Sequence, residues 1–171
     1  MPPRKKYRLT PELVPIDLWR RSAYRMLGGR VAWRKKIRPD ALNKAEDRCE
    51  TCGAKDGRLT CHDKWSYDDK KATATLVGFE IHCANCDSIT HFGRLFKAGG
   101  ITEEVMMSLM IHLCRVNDCK TRDALNILRE ATELWENRSK KKWKVAVAPA
   151  LLKKYPELEG LPTFKPVVIE Y

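Results

Sequence analysis

The stretch CHDKWSYDDKKATATLVGFEIHCANCDSITH, Cys61 to His91, gathers the residues best suited to chemistry. Asp87 and His91 are four positions apart, so on a helix their side chains share a face. His62 and Asp63 fall on a segment that reads as a strand. A hairpin folding back over that helix would bring the two regions together. Imidazoles and carboxylates converging in this way can bind one divalent ion and activate one water. A plainer arrangement fits the same spacing: Asp87 caps the helix and His91 is a surface residue.

Four cysteines frame this stretch. Cys49-x-x-Cys52 and Cys83-x-x-Cys86 are separated by thirty residues. Each pair sets two thiolates on one tight turn, and two such turns make a tetrahedral site. Zn²⁺ suits four thiolates because it brings no redox chemistry of its own. Four protein ligands close the site, so this ion would be structural. An iron–sulfur centre or plain buried cysteines are the alternatives. Of the seven cysteines, Cys61, Cys114 and Cys119 remain. The last two sit in helical sequence and read as core packing.

Elements must position these residues. Leu59 to Tyr67 and Ala72 to His82 read as two strands joined by the turn Asp68-Asp69-Lys70-Lys71. Thr73, Thr75, Val77, Phe79 and Ile81 alternate onto one face of the second strand. A helix begins near Cys86 and should run to about Phe96, stopped by Gly99-Gly100. Upstream, Ile16 to Leu27 has helical spacing, with Gly28-Gly29 to end it. Val31 to Asp47 is a second helical stretch that Pro39 should interrupt. Downstream, Thr102 and Thr121 can each cap a helix. The first has Val105, Met106, Leu109, Met110 and Leu113 as its apolar positions. The second has Ala124, Ile127, Leu128, Ala131, Leu134 and Trp135. Trp143 to Ala148 has the look of a short strand, and the Pro-containing tail should be extended. The expected divisions are an arm at 1–15, a basic helical segment at 16–48, the cysteine-framed core at 49–98, a helical part at 99–151 and a tail at 152–171.

Charge narrows the partners. The formal net charge is +11, and residues 1–48 hold 14 Lys/Arg against 5 Asp/Glu. Arg138 to Lys154 adds seven basic residues and no acidic one. Such an excess attracts polyanions, with nucleic acid the commonest in a cell. An acidic protein or an acidic membrane surface would be drawn by the same charge. Arg20, Arg21, Arg25, Arg34, Lys35 and Lys36 on the first helices, and Arg94 and Lys97 beyond His91, are the candidate phosphate contacts. No run of eighteen apolar residues spans a membrane. The N-terminal MPPRKKYRL has no apolar run behind its basic residues, which predicts no secretory signal. With Cys-x-x-Cys pairs instead of a disulfide framework, a reducing, cytoplasmic setting is expected.

The segments CETCGAK, LTCHDKWSYDD and LVGFEIHCANCDSITHFGR resemble the zinc-supported HNH endonucleases of the ββα-metal (His-Me finger) superfamily. The flanking LW…R segment, HLCRVN and ATELWENRSKKKW resemble one bacterial branch of them, so the likeness covers most of Ile16 to Leu151. It implies an α+β fold, a ββα-metal core with a zinc knuckle embedded in a mostly helical single domain, in a bacterial or phage-encoded protein. It also implies a metal-dependent endonuclease acting on nucleic acid, DNA first, with a further protein partner compatible with that role. His62 would be the general base, and Asp63, Asp87 and His91 would hold Mg²⁺ or Mn²⁺. The roles of His62 and Asp63 could be exchanged.

Two departures matter. The branch usually has His where this chain has Asp87. The Asn that names the motif is also missing from its place, since Asn85 lies between the knuckle cysteines; Thr73 or Thr75 is the substitute to consider. A zinc-stabilised module that binds nucleic acid without cutting, or a basic subunit of a nucleoprotein assembly, is therefore the alternative. Trp65 and Tyr67 either pack the hairpin on its helix or stack on an exposed base.

Overall fold

The computed structural model describes residues 7–27, 31–55, 57–97 and 101–160. Gly28-Gly29, Gly99-Gly100, the side chain of Lys97 and the tail from residue 161 lie outside the described residues. The protein is mixed α+β. Strands β1 (Leu59–Asp68) and β2 (Thr73–Cys83) form a long antiparallel hairpin, and β3 (Lys144–Val147) joins β2 in parallel. Helix α3 (Ala84–Thr90) follows β2 without a break. Among the described residues, no helix is long and apolar enough to cross a membrane.

The hairpin carries a bulge. Lys64 pairs with Gly78 but Trp65 pairs with Leu76, so Val77 has no partner. One extra residue reverses the alternation. Ala74 and Leu76 point into the core before the bulge, and Phe79 and Ile81 after it, while Val77 is exposed. The single stripe Thr73, Thr75, Val77, Phe79, Ile81 is thereby corrected: it spans both faces.

One face of the hairpin is covered by α1 (Ala23–Met26), α2 (Arg38–Lys44) and residues 151–158. Met26, Trp33, Ile37 and Leu158 pack there on Leu76, Phe79 and Ile81. The expected helix from Ile16 to Leu27 is broken into a short 3-10 turn, Ile16–Leu18, and α1. Arg20 turns the chain at φ 70° between them. Tertiary bonds outweigh local propensity here: Asp17 accepts from the backbone N–H of Trp143 at 2.8 Å, and Asp63 accepts from the first N–H of α1, that of Ala23, at 2.7 Å. Pro39 does not end its helix. It sits at the start of α2, and the preceding turn, Trp33–Ile37, widens to a π-helix. A widened turn accommodates the proline's missing N–H and its ring.

The other face carries the knuckle, α3, α5 (Glu103–Asn117) and the start of α6 (Thr121–Ser139). Leu9, Ile89, Leu109, Leu113 and Ala124 form the core around the cysteines. Thr102 caps α5 as its sequence predicts. The N-cap of α6 is Lys120, whose backbone N–H donates to the Asp123 carboxylate, so Thr121 is the first helical residue instead. Helix α7 (Pro149–Lys154) and a 3-10 turn, Pro156–Leu158, occupy part of the expected tail, with Tyr155 and Leu158 buried.

The expected N-terminal arm is docked from residue 8 onward. Leu9 is buried, and the side chain of Asn117 accepts from the N–H groups of Arg8 and Leu9 and donates to the Leu9 carbonyl. Trp135 donates its ring N–H to the carbonyl of Val14.

Candidate metal and catalytic site

The knuckle is built by two turns. Cys49 to Gly53 closes through the Gly53 N–H on the Cys49 carbonyl at 2.8 Å, with Gly53 at φ +79°, where a side chain would be strained. The Glu50 N–H bonds the Ile81 carbonyl, and the Glu50 carboxylate accepts from the Ile81 N–H. Those two bonds lock the first turn to the strand that ends in Cys83. All four Sγ atoms of Cys49, Cys52, Cys83 and Cys86 lie within 4.8 Å of one another, with Cys52 and Cys83 at 3.6 Å. Four Zn–S bonds of about 2.3 Å at tetrahedral angles would set sulfurs about 3.8 Å apart. The donor set and its spacing therefore fit a tetrahedral metal such as zinc.

The thiols' acidities show the same crowding. Cys49 is held down at about 3, first by its contact with Cys86, while Cys86 is pushed far up by that contact. Burial raises Cys52. Four thiolates at this spacing need a shared cation. His112 adds an outer partner: its Nε2 lies 3.1 Å from Cys86 Sγ, and Arg115 donates to its Nδ1 at 3.1 Å. An Nδ1 that accepts from a guanidinium leaves the ring proton on Nε2, where it points at sulfur.

Beside the knuckle, β1 and α3 bring together one ring nitrogen of His62, a carboxylate oxygen of Asp87 and a ring nitrogen of His91, all within 4.8 Å. His91 Nε2 lies 3.7 Å from Asp87 Oδ1, and the rings of His62 and His91 meet edge-on at 4.5 Å. Asp87 Oδ1 is buried and has no hydrogen-bond partner. Burial, then the charges of His62, Arg94 and His82, pulls His91 down to about 3, so its ring stays neutral. An orphaned carboxylate oxygen facing a neutral imidazole is a costly pair in a buried site, and a divalent cation would satisfy both.

Asp63 is not part of this cluster. Neighbouring residues on a strand point to opposite faces. His62 faces α3, so Asp63 faces α1 and caps it. Burial raises the Asp63 carboxyl to about 6. Its place among the metal ligands is therefore withdrawn. Thr73 and Thr75 are also distant: they pair with Asp68 and Ser66 near the hairpin turn, whereas His62 pairs with Glu80. Five residues of strand from Thr75 to Glu80 is about 16 Å.

Three further residues, Glu80, His82 and Glu12, stand beside His62. Glu80 stands across from His62; His82, its Nε2 3.6 Å away, and after it Lys64 hold it as a carboxylate, down at about 2. The His82 ring stacks on His62 at 5.2 Å, 3% exposed, with neither nitrogen within hydrogen-bond length of a partner. Glu12, on the arm, places Oε2 3.3 Å from His62 Nε2. Glu12, Glu80 and His82 line one cleft of about 300 Å³. Strand alternation through the hairpin could have found Glu80 and His82, had the bulge been visible. Nothing local marks Glu12.

The candidate phosphate contacts divide. Arg20, Arg25, Arg34 and Lys35 are exposed, Arg21 is half-buried, and Lys36 pairs with Glu157 at 3.2 Å. These residues belong to the segment whose helices cover the face opposite the cluster. Arg94 is exposed on α4 (Phe92–Lys97), three residues past His91. Tyr67 is packed, edge-on to Trp143 at 5.4 Å with Arg138 over its ring at 4.2 Å, and Trp65 is half-buried against the core. Cys61 is half-buried and its thiol is pushed up to about 12 by burial; Cys114 and Cys119 pack against the knuckle core.

Compared with known proteins, the chain matches no family model, no curated protein and no solved structure. What the site does must be read from its own geometry.

Proposed function

We propose that the protein is a metal-dependent endonuclease of the HNH type, cutting phosphodiester bonds of DNA, with a structural zinc in its knuckle. The observation that carries this reading is the orphaned Asp87 Oδ1 beside the neutral His91, with His62 completing the cluster. The hairpin running directly into α3, with knuckle cysteines at both ends, supports the resemblance in the sequence. Asp87 and His91 would hold a divalent ion. The ion, when bound, would neutralise the scissile phosphate and the leaving oxygen. With Asp63 removed, one imidazole and one carboxylate make the pair. That mixture favours Mn²⁺ over Mg²⁺, which prefers an all-oxygen shell.

His62 takes the proton of the attacking water at the ring nitrogen that Glu12 leaves free. An imidazole is the side chain best suited to exchange a proton with water near neutral pH. Arg94 would contact a phosphate beside the cut. The net charge of +11 supports a polyanion as partner, with affinity that falls steeply with salt.

The test is nicking of supercoiled plasmid with Mn²⁺, Mg²⁺ or EDTA, by wild type and His62→Ala, with bound zinc quantified in both. Ion-dependent cutting that falls at least a hundredfold in the variant, zinc retained, is the expected result. A wild type that holds zinc and binds plasmid without cutting would replace this reading with a binding module.

A further inference from the structure

We infer that Glu12, carried in by the N-terminal arm, is a positioning residue of the catalytic site: it orients the His62 ring and stabilises the cation formed when that ring accepts a proton. The inference rests on His62 being the base, and it adds a residue fifty positions away that lies outside the cysteine-framed core.

Three observations place Glu12. Its Oε2 lies 3.3 Å from His62 Nε2, and the His62 ring is 7% exposed, so the contact is largely shielded from water. The Glu12 backbone N–H bonds the carbonyl of Thr90 at 2.8 Å, one residue before His91. The arm is fixed on both sides of it, by Asn117 at Leu9 and by Trp135 at Val14.

The bond to Thr90 also shapes the helix. In an unbroken helix the Thr90 carbonyl would accept from the N–H of Arg94. Here Arg94 donates to His91 at 2.8 Å and the arm takes the Thr90 carbonyl. The helix expected to run from Cys86 to Phe96 is accordingly divided into α3 and α4 at His91. One arm residue thus grips both elements that carry the site, its backbone on α3 and its side chain on β1.

Glu12 is better placed as a partner of His62 than as a ligand. It falls outside the set of donors that lie within 4.8 Å of one another. A carboxylate on one ring nitrogen fixes the tautomer and leaves the other nitrogen as the acceptor, which is the logic of carboxylate–histidine pairs elsewhere. In the step itself, the free nitrogen of His62 takes a proton from water, and the resulting hydroxide bonds to phosphorus. The P–O ester bond breaks with its electron pair on the leaving oxygen, which is then protonated from solvent. The groups facing His62 are Glu12 from the arm, Glu80 and His82 from β2, and Asp87 and His91 from α3.

The experiment compares Glu12→Gln, Glu12→Ala and Glu12→Asp with wild type in single-turnover plasmid nicking with Mn²⁺ across pH 5.5 to 9. Zinc content, thermal midpoint and plasmid affinity are measured alongside. Gln and Ala are expected to cut about a hundredfold more slowly with plasmid affinity unchanged. Asp, one methylene shorter, keeps the carboxylate and should recover part of the rate, with the thermal midpoints of all three variants close to wild type. Wild-type rates in Gln and Ala would overturn the role of Glu12 and leave the nuclease reading intact. Rates that fall only in step with the thermal midpoint, with no recovery by Asp, would make Glu12 a structural residue and overturn the inference. A wild type that does not cut would remove the reading and the inference together.

Discussion

Replacing Asn117 with alanine should free the N-terminal arm. Helix α5 ends at Asn117 because Asp118 turns left-handed, at φ 47° and ψ 59°. The Asn117 amide then faces the arm. Its Oδ1 accepts from the N–H of Arg8 and of Leu9, both at 2.9 Å, and its Nδ2 donates to the Leu9 carbonyl at 2.7 Å. Asn117 and Leu9 are both buried, so few waters can replace these bonds. At about 1 kcal/mol net for each bond, the amide contributes about 3 kcal/mol to holding the arm down. The Arg8–Leu9 bond, which follows a basic residue as trypsin requires, lies inside this clamp. If opening is fast relative to cleavage, cutting there follows the open population, which 3 kcal/mol would raise by about two powers of ten. The assay is limited trypsin digestion at native conditions, with the cleavage after Arg8 followed by mass spectrometry. A rise of less than about fivefold would refute the reasoning, since it corresponds to under about 1 kcal/mol for three buried bonds. Plasmid nicking by the same variant should fall as well, although Asn117 touches no residue of the site, because Glu12 loses its anchor on one side.

The knuckle and the sheet give two further tests. His112→Ala removes the ring N–H from Cys86 Sγ and should weaken zinc binding by about 10- to 100-fold, read by competition with a chromophoric chelator. Asp63→Asn tests a pH-dependent cost. Burial raises the native Asp63 carboxyl from 3.8 to about 6, so the fold favours the protonated acid. Wild-type stability from this group is therefore greatest below pH 4 and is lost as pH rises through about 6. At about 1.36 kcal/mol for each pH unit separating the folded and unfolded values, the loss is about 2–3 kcal/mol. Asparagine still accepts the Ala23 N–H and carries no charge, so the variant should be the more stable protein at pH 7 and lack this slope. Urea midpoints at pH 4.5 and pH 7 measure both effects.

The parts legible in the sequence are those whose cause is local. Cysteine spacing marks both turns of the knuckle. The acidic–basic turn and its β-rich flanks place β1 and β2 within a residue of their observed ends. Thr102 marks the start of α5. What was illegible has distant causes. The break at Trp19 and Arg20 answers to Asp17 bonding Trp143 and to Asp63 capping α1, contacts 126 and 40 residues apart. The bulge at Val77 has only Gly78 beside it as a mark, a residue that strand interiors disfavour, and it decides which residues of β2 face the site.

The site divides along the same line. His62 and Asp63 are adjacent and carry equal chemical promise, so a reading by residue type places both at one site, one as base and the other as ligand. Strand geometry allows only one of them to face it, and α3 selects His62 because the knuckle pins Cys83 and Cys86 to the end of β2. Asp63 is then turned to the opposite core, where its carboxylate is useful only as a cap. Glu12 enters by the opposite route. It sits beside two prolines and no metal-binding pattern, and it reaches His62 only because the arm finds a carbonyl at Thr90 that helix α3 has given up. A chain truncated before residue 16 would keep the hairpin, the four cysteines, Asp87 and His91, and it would still lose the carboxylate beside His62. The candidate site therefore draws on the arm, well before the first knuckle cysteine.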